Sequence, residues 1–261
     1  MKHTIDQIAE VAGYLWQKGW AERNGGNITV NITDQIDERM RQIPPLVPSL
    51  AIGKSLPALK GQFFYAKGTG KRMRDLARRP MEAGSIIRIT DDCAHYDIIA
   101  EHPVMPTSEL PSHLEIQNYL LQSGSTCRAT LHTHPIELVA MSHSPQWLDG
   151  NRLTRLLWSM IPETLAFAPL GIGVVPYALP GSLSLAEQTL AQIRHHDVVL
   201  WEKHGVFAVG DDIIEAFDQV DVLNKAAIIY MSARSMGFVP EGMTDDAIAE
   251  IQQVFHLPTQ R

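Results

Sequence analysis

The sequence is poor in cysteine. Its 261 residues include only two, Cys93 and Cys127, which lack the short spacing of a thiolate metal site. Two cysteines also cannot build the disulfide framework that stabilises many small secreted domains. We therefore expect both residues to be reduced, buried thiols that behave as small apolar side chains.

The sequence also lacks a long apolar run and an excess of positive charge. No stretch approaches the roughly 18 apolar residues of a membrane span, and no apolar leader follows Met1. The formal net charge is -7, whereas proteins that bind nucleic acid normally present a basic surface. These absences argue against membrane and nucleic-acid partners and predict a cytoplasmic protein. An anionic substrate would need local amides, hydroxyls or a cation, because the global charge does not attract it.

Apolar residues are abundant enough for a large core, at 45% of the chain. Alternating and helical apolar spacings predict many short strands interspersed with helices. Strands are predicted at 28–32, 62–67, 85–90, 95–100, 126–132, 164–168, 172–176, 197–202 and 206–209. Helices are predicted at 5–16, 111–123, 136–143, 184–196, 212–236 and 244–255.

The segment 41–60 holds four prolines and little periodicity, so it is predicted to be a long loop within the domain. Several short alternating strands favour a largely antiparallel sheet with helices on its faces. The prediction is therefore an α/β protein whose residues 1–261 form a single three-layer α/β/α domain.

Three histidines stand in positions that suit a metal site. His132 and His134 lie at the end of a predicted strand, where residues i and i+2 share a face about 6.5–7 Å apart. His204 follows the apolar run 198–201 and precedes Gly205, so a buried strand emerges there into a tight turn. Three imidazoles with an open position suit catalytic zinc, and they also suit cobalt, nickel or iron. The alternatives are surface or core histidines and, for His204, a bond to a backbone carbonyl.

Two loops and one proline-bracketed segment suit an oxyanion and a proton carrier. Residues 24–27, Asn-Gly-Gly-Asn, combine glycines that allow close backbone approach with two side-chain amides. Residues 68–71 form a similar loop, and Thr107 and Ser108 offer hydroxyls. None has the spacing of a nucleotide-binding loop, and each alone also fits a plain turn. Glu109 fits either a carboxylate at a helix start or a general base near a metal.

Five stretches occur in one order over almost the whole chain and together resemble a known family. They are 18–27, 106–111, 131–134, 157–163 and 200–207. In this combination they resemble the class II aldolases, and the rhamnulose-1-phosphate aldolases among them most. The resemblance implies a three-layer fold with a largely antiparallel central sheet. It also implies a four-fold homotetramer with active sites at the subunit interfaces.

The resemblance also assigns roles to individual positions. One zinc ion per subunit would be held by His132, His134 and His204, and Glu109 would be the catalytic carboxylate. Glu163 would be a second acid that reaches into the site of a neighbouring subunit. The positions that would hold the substrate phosphate are Asn24, Asn27, Thr69, Gly70 and Ser108.

The implied reaction is cleavage of a small phosphorylated ketose, L-rhamnulose 1-phosphate, to dihydroxyacetone phosphate and L-lactaldehyde through a metal-stabilised enediolate. Fuculose-phosphate aldolases and ribulose-phosphate 4-epimerases of the same superfamily are the alternatives, since they share the metal and the bond-breaking step. A different alternative is a non-catalytic scaffold on this fold, as in the adducin head domain. A scaffold is expected to lose metal ligands, and this chain retains all three histidines and Glu109.

Overall fold

A computed structural model of the protein describes residues 1–100 and 102–258. Within them the chain divides into two compact units. The first comprises Met1–Thr133 together with Val209–Glu215, and the second comprises His134–Ala208 together with the described residues from Ala216 onwards. The prediction of one domain over 1–261 stays a prediction.

The first unit contains six strands and the helices between them. The order is α1 (Lys2–Gln17), β1 (Asn27–Asn31), α2 (Glu38–Arg41), β2 (Val47–Ala51), β3 (Phe63–Lys67), α3 (Met73–Leu76), α4 (Pro80–Ala83), β4 (Gly84–Ile89), β5 (His95–Ile98), α5 (Leu110–Gln122) and β6 (Ala129–Thr133). These strands lie in the order β2-β5-β4-β3-β1-β6, and their pairings are antiparallel. The largely antiparallel sheet predicted from the sequence is thus present here.

The centre of this sheet is buried on both faces. Every residue of β1, β3 and β6 is buried, which explains why polar side chains at their ends need specific partners. Helix α1 packs through an apolar stripe at helical spacing, formed by Ile5, Ile8, Val11, Ala12 and Leu15. Burial of such a stripe contributes more to a helix than its intrinsic propensity does.

The second unit contains α6 (Ile136–Met141), α7 (Gly150–Met160), α8 (Pro162–Phe167), β7 (Ile172–Val175), α9 (Leu183–Ile193), β8 (Val198–Trp201), most of β9 (Gly205–Gly210), most of α10 (Ile213–Ser235) and α11 (Asp245–Val254). Strand β8 pairs with β7 in parallel and with β9 in antiparallel orientation. The α/β class predicted from the sequence is confirmed.

Two local predictions are wrong, and one helix is missing from the prediction. Residues 164–168 lie mostly in helix α8 and not in a strand, because Pro162 starts a helix whose inner residues Thr164 and Leu165 are buried. The predicted loop 41–60 contains strand β2, which pairs with β5. Helix α7 was not predicted, although Asp149 caps it by accepting a hydrogen bond from the backbone of Arg152.

The cysteine prediction is half right. Neither Cys93 nor Cys127 is in a disulfide, but both are partly exposed and not buried. Cys93 has a positive φ of 62°, so it lies in a turn and not in the core. Among the described residues, no helix has both the length and the apolarity needed to cross a membrane.

Candidate active site and metal centre

The first of the three histidines, His132, lies near the end of strand β6. Residues along β6 alternate between the two faces of the sheet, and His132 is the next-to-last residue, only 2% exposed. The neighbouring Thr133 donates its hydroxyl hydrogen to the Trp20 carbonyl at 2.7 Å. That bond fixes the strand end, and His134 follows one residue later.

A tight turn between β8 and β9 presents His204. The backbone N–H of His204 donates to the Trp201 carbonyl at 3.1 Å, and Lys203 adopts a left-handed φ of 59°. The backbone N–H of Lys203 donates to the buried Ser142 hydroxyl at 2.8 Å, which holds the turn against the chain after α6. The His204 ring lies 5.1 Å from the Trp201 ring and 5.4 Å from the His134 ring, centroid to centroid.

The three predicted metal ligands come together. One ligand nitrogen from each of His132, His134 and His204 lies within 4.8 Å of the others. Nitrogens bound about 2.0–2.1 Å from one tetrahedral zinc are about 3.4 Å apart. Side-chain rotations that move each nitrogen by about 1 Å would therefore bring the three to that spacing. Neutral imidazoles are ordinary ligands for zinc and for other late first-row divalent metals. The donor set therefore fits the divalent ion that the sequence predicts.

The Asn-Gly-Gly-Asn loop leads directly into β1 beside this strand end. Gly26 has a φ of +75°, and a Cβ there would lie 3.0 Å from the carbonyl oxygen of His132. Asn27 begins β1 and pairs directly with His132 in the antiparallel ladder with β6. Residues opposite each other in such a ladder place their side chains on the same face, about 4.5–5.5 Å apart. Asn27, the last residue of the loop, is therefore in register with His132, a predicted metal ligand.

Glu109 lies at the N-cap position of α5 but does not cap it. Its side chain makes no capping hydrogen bond; instead, one carboxylate oxygen accepts a hydrogen bond from the Asn27 side-chain amide. Thr107 steadies the segment, because its backbone N–H donates to the Lys67 carbonyl at 2.9 Å and its hydroxyl accepts from the Glu109 N–H at 3.3 Å. The carboxylate is thus turned towards the residue that pairs with His132.

The second glycine-containing loop is joined to the Glu109 segment. Gly68 forms an antiparallel bridge with Pro106, and the backbone N–H of Thr69 donates to the Met105 carbonyl at 2.8 Å. The residues predicted to hold the phosphate differ in exposure. Asn27 is buried, whereas Asn24, Thr69, Gly70 and Ser108 are exposed.

Positive charge also lies beside the first loop. A cavity of about 380 Å³ is lined by three arginines, Arg23, Arg72 and Arg74, together with the exposed residues Trp16 and Glu22. A local cluster of this kind supplies an attraction for anions that the net charge of -7 does not.

Lys67 was not singled out from the sequence. It ends β3, its side chain is only 1% exposed, and its Nζ donates to the Asn24 carbonyl at 3.0 Å. Burial lowers the pKa of Lys67 to about 8, while the charge of Glu109 acts in the opposite direction. The sequence signal for it was a lysine at the end of the apolar run Phe-Phe-Tyr-Ala-Lys. A lysine buried there needs a partner, because ammonium groups are rarely buried without one.

Glu163 stands apart from the histidine group. It lies in the first turn of α8, where its side chain is exposed. It is not a member of the histidine cluster found among the described residues. Its predicted role in a neighbouring copy therefore stays a prediction.

The chain is similar to known proteins over almost its whole length. The family model described as Class II Aldolase and Adducin N-terminal domain matches residues 6–231. A rhamnulose-1-phosphate aldolase from Bacteroides thetaiotaomicron is 59% identical over 254 residues, or 97% of this chain and 94% of the relative. One from Yersinia pseudotuberculosis is 35% identical over 237 residues, or 89% of this chain and 86% of the relative.

Similarity in fold is equally extensive. The crystal structure of a sugar-phosphate aldolase from Thermotoga maritima matches with a TM-score of 0.79 at 33% sequence identity. The match covers 93% of this chain and 99% of the other. With histidines grouped at the strand end and this similarity in sequence and fold, the chain belongs to the class II aldolase and adducin N-terminal domain family.

Proposed function

We propose that the protein is a lyase that cleaves L-rhamnulose 1-phosphate to dihydroxyacetone phosphate and L-lactaldehyde. The observation that carries the proposal is the convergence at Asn27, which pairs with His132 and donates a hydrogen bond to Glu109. One residue thereby links a metal ligand, a carboxylate and a loop of amides. The 59% identity to a named rhamnulose-1-phosphate aldolase supports this choice of sugar.

Zinc is the metal that we propose for His132, His134 and His204. When bound, such an ion supplies Lewis-acid stabilisation of the negative charge that develops on a ketose oxygen as the carbon–carbon bond breaks. The three imidazoles would hold it, and a zinc site with three histidines usually keeps a position open for water or substrate. No lysine that forms a Schiff base is required for this chemistry.

We propose that the two loops and Ser108 bind the phosphate group of the substrate. Asn24 and Asn27 offer side-chain amides, while Thr69 and Ser108 offer hydroxyl donors on exposed backbone. Gly70 has a φ of +69° with no atom near the missing Cβ, so backbone can approach an anion closely there. Fixing the phosphate at this end positions the reacting carbon beside Glu109 and the histidines.

Glu109 is proposed as the proton carrier. In its protonated form the Glu109 carboxyl group gives a proton to the carbon left by cleavage, and the substrate hydroxyl that becomes the aldehyde releases one proton, which balances the step. In the direction of synthesis the carboxylate form removes the carbon-bound proton. The Asn27 amide bonded to it holds one oxygen in place. General acid–base catalysis of this kind typically contributes about 10²–10⁴-fold to the rate.

Three further assignments complete the proposal. We propose that Glu163, exposed on α8, acts in the site of a neighbouring copy. The assembly would be a homotetramer, as the resemblance to this family implies. A cytoplasmic location fits an enzyme that acts on a phosphorylated sugar.

A cleavage assay over three sugar phosphates tests the substrate. Purified, metal-analysed protein is given L-rhamnulose 1-phosphate, L-fuculose 1-phosphate or L-ribulose 5-phosphate, and the products are identified. We expect the highest kcat/KM with L-rhamnulose 1-phosphate and release of dihydroxyacetone phosphate. A higher kcat/KM with L-fuculose 1-phosphate would mean that this sugar phosphate is the substrate. A rearranged pentulose phosphate without released fragments would mean that the protein is an epimerase. Absence of turnover together with absence of bound metal would favour a scaffold.

A further inference from the structure

Lys67 is a buried cation next to residues that the proposed reaction uses. Its side chain is 1% exposed, although transfer of an ammonium group out of water is costly unless it is paired. Replacement by an apolar side chain of similar length would relieve that cost. A charged residue retained in such a place calls for a role beyond filling space.

Contacts of Lys67 join three segments of the first unit. Its Nζ donates to the Asn24 carbonyl at 3.0 Å, at the start of the Asn-Gly-Gly-Asn loop. Its own carbonyl accepts from the Thr107 N–H at 2.9 Å, in the segment that carries Glu109. The residue after it, Gly68, opens the second loop. Lys67 is therefore the point where both proposed phosphate loops and the proposed proton carrier are tied together.

The charge of Lys67 acts on the same site. Glu109 is the charged group that favours its ammonium form, so the two side chains attract each other. Burial alone would drive the lysine towards neutrality, yet its pKa of about 8 leaves most of it protonated at pH 7. The loop and the carboxylate therefore share one buried positive charge near neutral pH.

We propose that Lys67 is a positioning residue that clamps the Asn24 carbonyl and holds the Glu109 carboxylate beside Asn27. It acts through these groups and does not itself touch the reacting carbon. The inference rests on the proposed function, because it assigns Lys67 to the binding and proton-transfer steps of that reaction. It also accounts for a buried lysine that a purely structural role would not require.

Lys67→Met is the first test, because methionine fills similar space without the charge. The unpaired Asn24 carbonyl and the loosened Glu109 are expected to lower kcat/KM about 10- to 100-fold, the range for one lost charged hydrogen bond. Inorganic phosphate, titrated by calorimetry, should bind about tenfold more weakly. Metal content should not change, and the melting temperature is measured on the same sample to detect any loss of stability.

Lys60→Met is the matched control. Lys60 lies in the same unit, is exposed, and its side chain forms a surface ion pair with Asp91. Its kcat/KM and its phosphate affinity should stay within twofold of wild type. A stability loss without a change in kcat/KM for Lys67→Met would mean a structural role and would overturn the proposal.

Restoration of the ammonium group provides a second test that survives poor folding of Lys67→Met. Lys67→Cys is alkylated with 2-bromoethylamine while unfolded and then refolded, which puts sulfur in place of one methylene. Wild type carried through the same steps is the reference, since Cys93 and Cys127 also react. Recovery to within about fivefold of that reference supports the proposal. A folded, alkylated protein that stays as inactive as the unalkylated variant contradicts it.

Failure of the proposed reaction is distinguishable from failure of this inference. If wild type cleaves none of the three sugar phosphates, the substrate assignment is lost, and the phosphate titration still reports on Lys67. If wild type cleaves L-rhamnulose 1-phosphate and Lys67→Met matches it in kcat/KM and phosphate affinity, only the role of Lys67 is lost.

Discussion

Asn27 lies directly opposite His132 in the ladder between β1 and β6, and its side-chain amide donates to Glu109. Strand pairing therefore sets the distance between a proposed metal ligand and the proposed proton carrier. Because register in a buried sheet cannot slip by one residue without turning every side chain to the other face, this relationship is strongly specified. The proposed chemistry depends on it.

Loss of one histidine should remove the metal and the activity together. His204→Ala leaves two imidazoles, and the loss of several kcal/mol of charge stabilisation corresponds to a fall in kcat/KM of about 10³-fold or more. Metal content by mass spectrometry and cleavage rate are measured on one sample. His195→Ala, at an exposed position after α9, is the control and should retain both. Full activity in a metal-free His204→Ala protein would remove this residue from the site.

Glu109→Gln should lower turnover and leave the metal in place. The amide keeps the shape of the side chain but cannot carry the proton, so kcat should fall about 10²–10⁴-fold. Glu115→Gln is a control on the same helix, where the native carboxylate pairs with Lys54. It should leave kcat close to that of wild type, because neither partner of this pair is assigned to the proposed site. Equal turnover in the two variants would exclude Glu109 as proton carrier.

Gly26→Ala separates backbone strain from a close contact. The added Cβ would lie 3.0 Å from the His132 carbonyl oxygen and 3.1 Å from Met73, at a φ of +75°. Gly61→Ala has nearly the same φ, +68°, with nothing within 4 Å, so it carries only the strain of about 1–2 kcal/mol.

Urea unfolding should show a larger loss for Gly26→Ala, and only that variant should lose activity. Equal losses in free energy of unfolding would mean that the close approach of the loop to β6 contributes nothing.

His113 should make stability depend on pH. It is fully buried, its Nδ1 is bonded to the Thr130 hydroxyl at 2.8 Å, and burial lowers its pKa to about 3. Because the unfolded chain takes up a proton at the ordinary pKa of about 6.5, stability is full above that pH and falls as pH drops towards 3. The loss is on the order of a few kcal/mol. Between pH 7 and pH 4, the free energy of unfolding measured with a denaturant should fall less for His113→Asn than for wild type. The same dependence on pH in both proteins would contradict this role of His113.

The grouping of the three histidines was predictable because it depends on local order. A His-x-His at a strand end puts two imidazoles on one face whatever surrounds it, and His204 stands at a turn marked by the following glycine. The pairing of Asn27 with His132 was not predictable from local order, since register is set by strands far apart in sequence. The apolar run 164–168 fits a strand or a helix equally, and Pro162 at the helix start together with burial against neighbouring helices decides for α8.

Strand β2 and the burial of Lys67 could not be predicted from the sequence either. β2 is an exposed strand at the edge of the sheet that contains Pro48, so it lacks the apolar alternation by which strands are found. Lys67 looks like an ordinary polar end to an apolar strand until its burial and its bond to Asn24 are seen.

The most direct test of the account is the rate of dihydroxyacetone phosphate release from L-rhamnulose 1-phosphate, measured against zinc bound per subunit. Protein stripped by a chelator is given back increasing zinc, and the rate and metal content are followed together. We predict no release from the stripped protein and a linear rise that ends at one zinc per subunit. Full-rate release from verified metal-free protein, or no release at full occupancy, would contradict it.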